Sequence, residues 1–156
     1  MSRDIYELLT RQHNETKKSF DRLFGALENH PEDARERRET GRKLVVGLIT
    51  HNDAESQILY ARLMKFEHLR GQVEEHRHEH EEANAKLMTL LESNAEDPEW
   101  LGKFREIRAA VEKHIEDEEA NLFPQAKKVL GGRESRMLAE EFTYLQDLRR
   151  NLMQPA

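Results

Sequence analysis

Apolar residues recur along this chain at steps of three and four and rarely alternate with polar ones. That period, close to 3.6, marks amphipathic helices rather than strands. Ile5, Leu8, Leu9, Phe20, Leu23, Phe24 and Leu27 form one stripe and predict a helix over 3–29. Leu44, Leu48, Ile58, Leu59 and Leu63 predict a second, from Asp33 to the late sixties. Val73, Ala83, Leu87, Leu90 and Leu91 predict a third over 72–93. Leu101, Phe104, Ile107, Val111, Ile115 and Leu122 predict a fourth over 98–122, which Pro124 must kink or end. Leu138, Phe142, Leu145, Leu148 and Leu152 predict a fifth over 134–153.

The breakers fall between these stripes. Pro31 follows Asn29 and His30, Gly71 interrupts Arg70 and Gln72, and Gly131-Gly132 is a strong stop. Asp97 reads as a helix cap with Pro98 in the first turn. Long helices with short connections predict an all-α protein, an antiparallel up-down four-helix bundle. The C-terminal helix is additional and packs across one end or side. The expectation is one domain over 1–156, with its bundle core over 3–130.

Composition narrows the chemistry. There is no cysteine, which excludes disulfides, thiolate metal sites and thiol nucleophiles. Charged residues are 36% with a net charge of −6, and no basic stripe marks a nucleic-acid binder. No stretch approaches the roughly 18 apolar residues of a membrane span, and no secretory signal is visible at Met1–Tyr6. The expectation is a soluble cytoplasmic protein with neither a nucleic-acid nor a membrane partner.

Each of the four long stripes is interrupted by histidine. Tyr6, Leu9, His13 and Phe20 share a face of the first helix. Leu44, Leu48, His51, Glu55 and Ile58 share one in the second, as do Val73, His76, His80, Ala83 and Leu87 in the third. Ile107, Val111, His114, Glu118 and Leu122 share one in the fourth. Buried polar groups need partners, and inward histidines and carboxylates can satisfy one another through a metal. The candidate ligands are His13, His51, Glu55, His76, His80, His114 and Glu118.

Axial register supports the grouping. In an antiparallel hairpin, residues equidistant from the turn lie level. His13 and His51 are equidistant from a point beside Pro31, and His80 and His114 from Asp97. His51 and His80 centre on residues 65–66 rather than on Gly71, so either the loop begins near Lys65–His68 or the second helix overhangs the third. His30 belongs to a turn, His68 to a helix end, and His78 points about 200° away from His80; these three read as solvated.

These segments resemble the hemerythrin-like, or HHE cation-binding, family. The resemblance rests on the lone His13, on His51-Asn52-Asp53-Ala54-Glu55, on His76-Arg77-His78-Glu79-His80, and on His114-Ile115-Glu116-Asp117-Glu118 with the following Glu119 to Pro124. It covers about residues 4–130. It implies two non-haem iron ions inside the bundle, oxo- or hydroxo-bridged. The five histidines are then terminal ligands, and Glu55 and Glu118 bridge. In the oxygen-carrying hemerythrins the second bridging acid is an Asp one position later, where this chain has Glu119. The four-residue spacing selects Glu118 and turns the expectation away from a dedicated oxygen carrier.

Imidazole with carboxylate suits non-haem iron. Five imidazoles, two bridging carboxylates and a bridging oxygen leave one open position on a pair of six-coordinate irons, and two if His76 is not a ligand. The resemblance therefore implies a protein that binds or senses dioxygen, nitric oxide or peroxide. Other readings are an iron-sensing cation module, a catalase-like peroxide-decomposing enzyme, or a helical interaction domain whose histidines only hydrogen-bond. Asn84, Asn121 and Tyr6 lie near the faces where partners of the ligands would sit. Tyr6 either approaches the site or is a core tyrosine with its hydroxyl at the bundle end.

Overall fold

The computed structural model describes residues 3–29 and 33–153, and all regular structure among them is helical. Helix α1 is Ile5–Asn29, with the Glu7 amide donating to the Asp4 carboxylate at 2.9 Å. Helix α2 spans 34–63. It runs as Ala34–Glu55, widens into a π turn at Ser56–Tyr60 and closes with Ala61–Leu63. Its cap is Asp33, which accepts from the Glu36 amide at 3.1 Å. A 3₁₀ turn, Glu67–Leu69, feeds helix α3, Arg70–Glu92. Helix α4 spans 98–129 as Pro98–Asp117, a π turn Glu118–Leu122, and Phe123–Val129. Asp97 caps it and Pro98 opens it, as the sequence predicts. Helix α5 is Gly132–Met153.

Three boundaries differ from the sequence reading. Helix α2 stops at Leu63, so the connection centres on 64–66 and Gly71 lies inside the first turn of α3. The register of His51 with His80 located this loop better than the glycine did. Helix α4 does not end before Pro124 but continues to Val129. The π turn just ahead of Pro124 provides the room, because a proline in a regular helix clashes with the carbonyl four residues back. Helix α5 begins at Gly132, two residues earlier than its apolar stripe indicates. The turn assigned to His30 and Pro31 lies outside the described residues.

Helix α1 packs on α2, α2 on α3, α3 on α4 and α4 on α1, forming a helical bundle. Helix α5 lies along the side made by α1 and α2. The apolar interior falls into two clusters. One contains Ile5, Leu9, Leu59, Leu63, Val73, Leu122 and Phe142. The other contains Phe20, Leu23, Leu48, Leu87, Phe104, Ile107 and Ile115. On each of the four long helices the buried polar residues occupy the boundary between them: His13, then His51 and Glu55, then His76 and His80, then His114 and Glu118. Two dry cores thus sandwich one polar layer. No helix among the described residues is long and apolar enough to cross a membrane.

Candidate metal centre

The seven candidate residues are all buried, and Glu55 and Glu118 are fully so. The hairpin levels hold. The His13 and His51 rings lie 5.2 Å apart, and those of His80 and His114 lie 4.6 Å apart.

The two glutamates occupy the middle of the layer. Glu118 Oε1 lies 3.2 Å from His13 Nε2, and its Oε2 lies 3.5 Å from His114 Nε2. Each oxygen therefore faces an imidazole on a different helix. Glu55 Oε1 lies 3.2 Å from His80 Nε2 and 4.0 Å from His51 Nε2. Donor atoms of Glu55, His80, His114 and Glu118 come within one ion's reach, and so do those of His13, His51 and Glu55. Glu55 belongs to both groups. His76 is set apart, with its Nδ1 3.3 Å from Glu79 and 3.4 Å from His114 Nδ1, in a third group made by His76, Glu79 and His114. Glu119 stays at the edge, 3.7 Å from His13 Nδ1 and partly exposed. His78 is exposed and pairs with Glu82 at 2.9 Å, and His68 is exposed.

The layer carries unmet bonding capacity. Both nitrogens of His13, Nε2 of His80, both oxygens of Glu55 and Oε1 of Glu118 are buried and complete no well-formed hydrogen bond, and most meet one another or Glu119 only in ion-pair contacts of 3.2–3.7 Å. Each such atom costs about 1–3 kcal/mol. A cation is a partner that all of them can share, so this donor set fits a metal held by nitrogen and oxygen.

The surrounding electrostatics fit the same reading. Burial pushes His51 down to about 3, and the His13 charge adds to it. Burial, then His114, holds His80 well below the ordinary histidine value, and the same two causes lower His76. His13 and His114 go the other way. Burial opposes their charge, but the adjoining carboxylates of Glu118 and Glu119 raise His13 to about 9, and those of Glu118 and Glu79 raise His114 to about 10. Burial would raise Glu118, yet the same imidazoles hold it well below the carboxylate range. Glu55 is raised by burial and by the neighbouring Glu118.

Outer groups aim the imidazoles away from the layer's edge. Ser56 Oγ lies 2.9 Å from His80 Nδ1, Gln12 Oε1 lies 2.8 Å from His51 Nδ1, and Glu79 Oε1 lies 3.1 Å from His114 Nδ1. Gln146 on α5 holds Gln12 through reciprocal amide bonds of 2.8 and 3.0 Å. Partners of this kind fix the ring orientation of metal-binding histidines.

Sequence reasoning did not find them. Asn84 bonds Asn52 and Asp53 instead, Asn121 is exposed, and Tyr6 packs on Phe123 as a core tyrosine. It also missed Tyr60, whose fully buried hydroxyl donates to Glu118 Oε2 and lies 3.3 Å from His114 Nε2. The available signal was an aromatic residue just past the His51–Glu55 pair, at a position where an unbroken α-helix turns it aside.

A cavity of about 100 Å³ opens beside the layer, lined by His13, His51, His80 and His114 and by Leu48 and Val111. The family model of the Hemerythrin HHE cation binding domain matches residues 4–126. No curated protein and no solved structure matches the chain.

Proposed function

The chain belongs to the hemerythrin HHE cation-binding family, and on that footing we propose that its polar layer holds two non-haem irons and binds or senses dioxygen, nitric oxide or peroxide. The observation that carries the reading is Glu55, fully buried and shared by two donor groups, one with His80, His114 and Glu118 and the other with His13 and His51. Glu118 supports it with one oxygen toward His13 and the other toward His114. The proposed ligands are His13, His51, Glu55, His76, His80, His114 and Glu118, with the two glutamates bridging. The four long helices are read as an antiparallel up-down bundle, and residues 1–156 as one domain.

Iron in such a site supplies redox chemistry and an open position for a small ligand. The chain's own part is to hold the donors level, keep both faces dry and limit what enters. An apolar cavity of about 150 Å³ admits benzene, so a space of about 100 Å³ favours a molecule of two to four atoms.

Metal analysis with an optical spectrum tests the reading. Protein reconstituted with ferrous iron and exposed to air should carry about two irons per chain, with near-ultraviolet absorption from bridged ferric ions. His51→Ala and Glu118→Ala should each lower iron content sharply, and His78→Ala should not. Protein that stays metal-free with unchanged stability supports instead a helical domain whose histidines only hydrogen-bond.

A further inference from the structure

Tyr60 and Phe123 occupy equivalent places. Each stands five residues after an interior glutamate, Glu55 or Glu118, at or just beyond the end of a π turn. In a regular α-helix a residue five positions on lies about 140° around the axis, away from the interior. The wider turn, closed by the Ala61 amide on Ser56 and the Phe123 amide on Glu118, returns it to the glutamate's face. The two aromatics differ by one atom. Phe123 stacks on His13 with ring centroids 6.1 Å apart and offers no donor. Tyr60 stacks on His80 at 5.0 Å and carries a hydroxyl into the layer.

That oxygen has the position of a ligand. Metal bonds of about 2.0–2.2 Å separate adjacent donors by about 3 Å. Tyr60 Oη is 3.3 Å from His114 Nε2, and Glu118 Oε2, which it contacts, is 3.5 Å from the same nitrogen. The Tyr60 oxygen thus lies beside two donors assigned to one metal. Resting on the reading of the layer as an iron site, we propose that the Tyr60 oxygen, in place of the set-apart His76, is the sixth ligand of the metal on the His80–His114 side. Ligation exchanges the phenol proton, released to solvent, for the bond to iron. The Phe123 side has no such donor, so the two metal positions are chemically distinct and an incoming ligand is directed to the His13–His51 side.

A ferric ion bound by phenolate absorbs in the visible, where imidazole and carboxylate ligands alone leave little intensity. The ferric protein should show such a band, and Raman excitation within it should enhance phenolate ring vibrations. Tyr60→Phe should lose the band while keeping the parent's iron content. Tyr6→Phe and Tyr144→Phe should retain it. Ring-deuterated tyrosine, incorporated into the unmutated chain, should shift the enhanced vibrations even if Tyr60→Phe does not fold. Full iron content without a visible band, or a band that survives Tyr60→Phe, overturns the ligation alone. A chain that takes up no iron overturns the function above and this inference with it.

Discussion

Two imidazoles hold the Glu118 carboxyl well below the ordinary carboxylate range against its burial, while burial and the neighbouring Glu118 push Glu55 the other way. In the metal-free layer the neighbouring carboxylates raise His13 to about 9 and His114 to about 10, so both favour the protonated form at neutral pH. The two imidazole protons stand where cation charge belongs, and metal binding must expel them. The sign of the pH effect follows. His13 and His114, raised from 6.5 to about 9 and about 10, favour folding fully below pH 6.5, and that contribution is lost as pH rises through their folded values. Metal affinity rises over the same interval because fewer protons compete, by up to about 1.4 kcal/mol per unit for each proton displaced. The difference in melting temperature between iron-loaded and chelated protein should therefore be larger at pH 9 than at pH 6.5. Calorimetry at both values, with and without chelator, checks it. A difference that shrinks with pH means that these imidazoles are already neutral at pH 6.5.

At the scale of the helix, the two π turns do different work. In α2 the extra residue only re-aims Tyr60, and Gln57 inside the turn is exposed. Deleting Gln57 places Tyr60 four residues after Glu55, which is again the same face of a regular helix. That variant should fold, with iron content and helical circular dichroism close to the parent's. In α4 the wide turn also makes room for Pro124. Deleting the exposed Ala120 should return the proline to a regular helix interior and cost about 3 kcal/mol more than deleting Gln57. Urea titration of both variants measures the difference. The same turns show where sequence periodicity succeeds and where it ends. His51 and Glu55 precede the first π turn, and His114 and Glu118 reach only the first residue of the second, so steps of three and four put them inside correctly. Tyr60 lies past one and falls out of phase. Ser56 and Glu79 contact neighbouring helices whose rotation the stripes leave open. Gln12 was illegible for a different reason: its partner Gln146 is on α5, and no periodicity reports where an added helix docks.

For the whole molecule, α5 is more than a cover. Phe142 meets the His51 ring edge-on at 5.8 Å, Gln146 reaches that ring through Gln12, and Arg149 bonds Asp53 at 3.2 Å. The additional helix thus shapes one side of the centre that the other four helices enclose. Among the described residues the polar layer lies between the two apolar clusters, and this arrangement bears on how the protein comes apart. Cooperative unfolding requires that each part of a structure depend on the rest. Here the ends of the bundle share long helices, but their shared interior is a layer of buried imidazoles and carboxylates that a cation would tie together. With iron bound, amide exchange at Leu9, Val73, Leu87 and Phe104 should follow one global opening. After chelation the end holding Leu9 and Val73 and the end holding Leu87 and Phe104 should exchange with separate free energies. On the proposed function, a bound metal would rivet two foldons into one, and its loss would leave two ends that open separately.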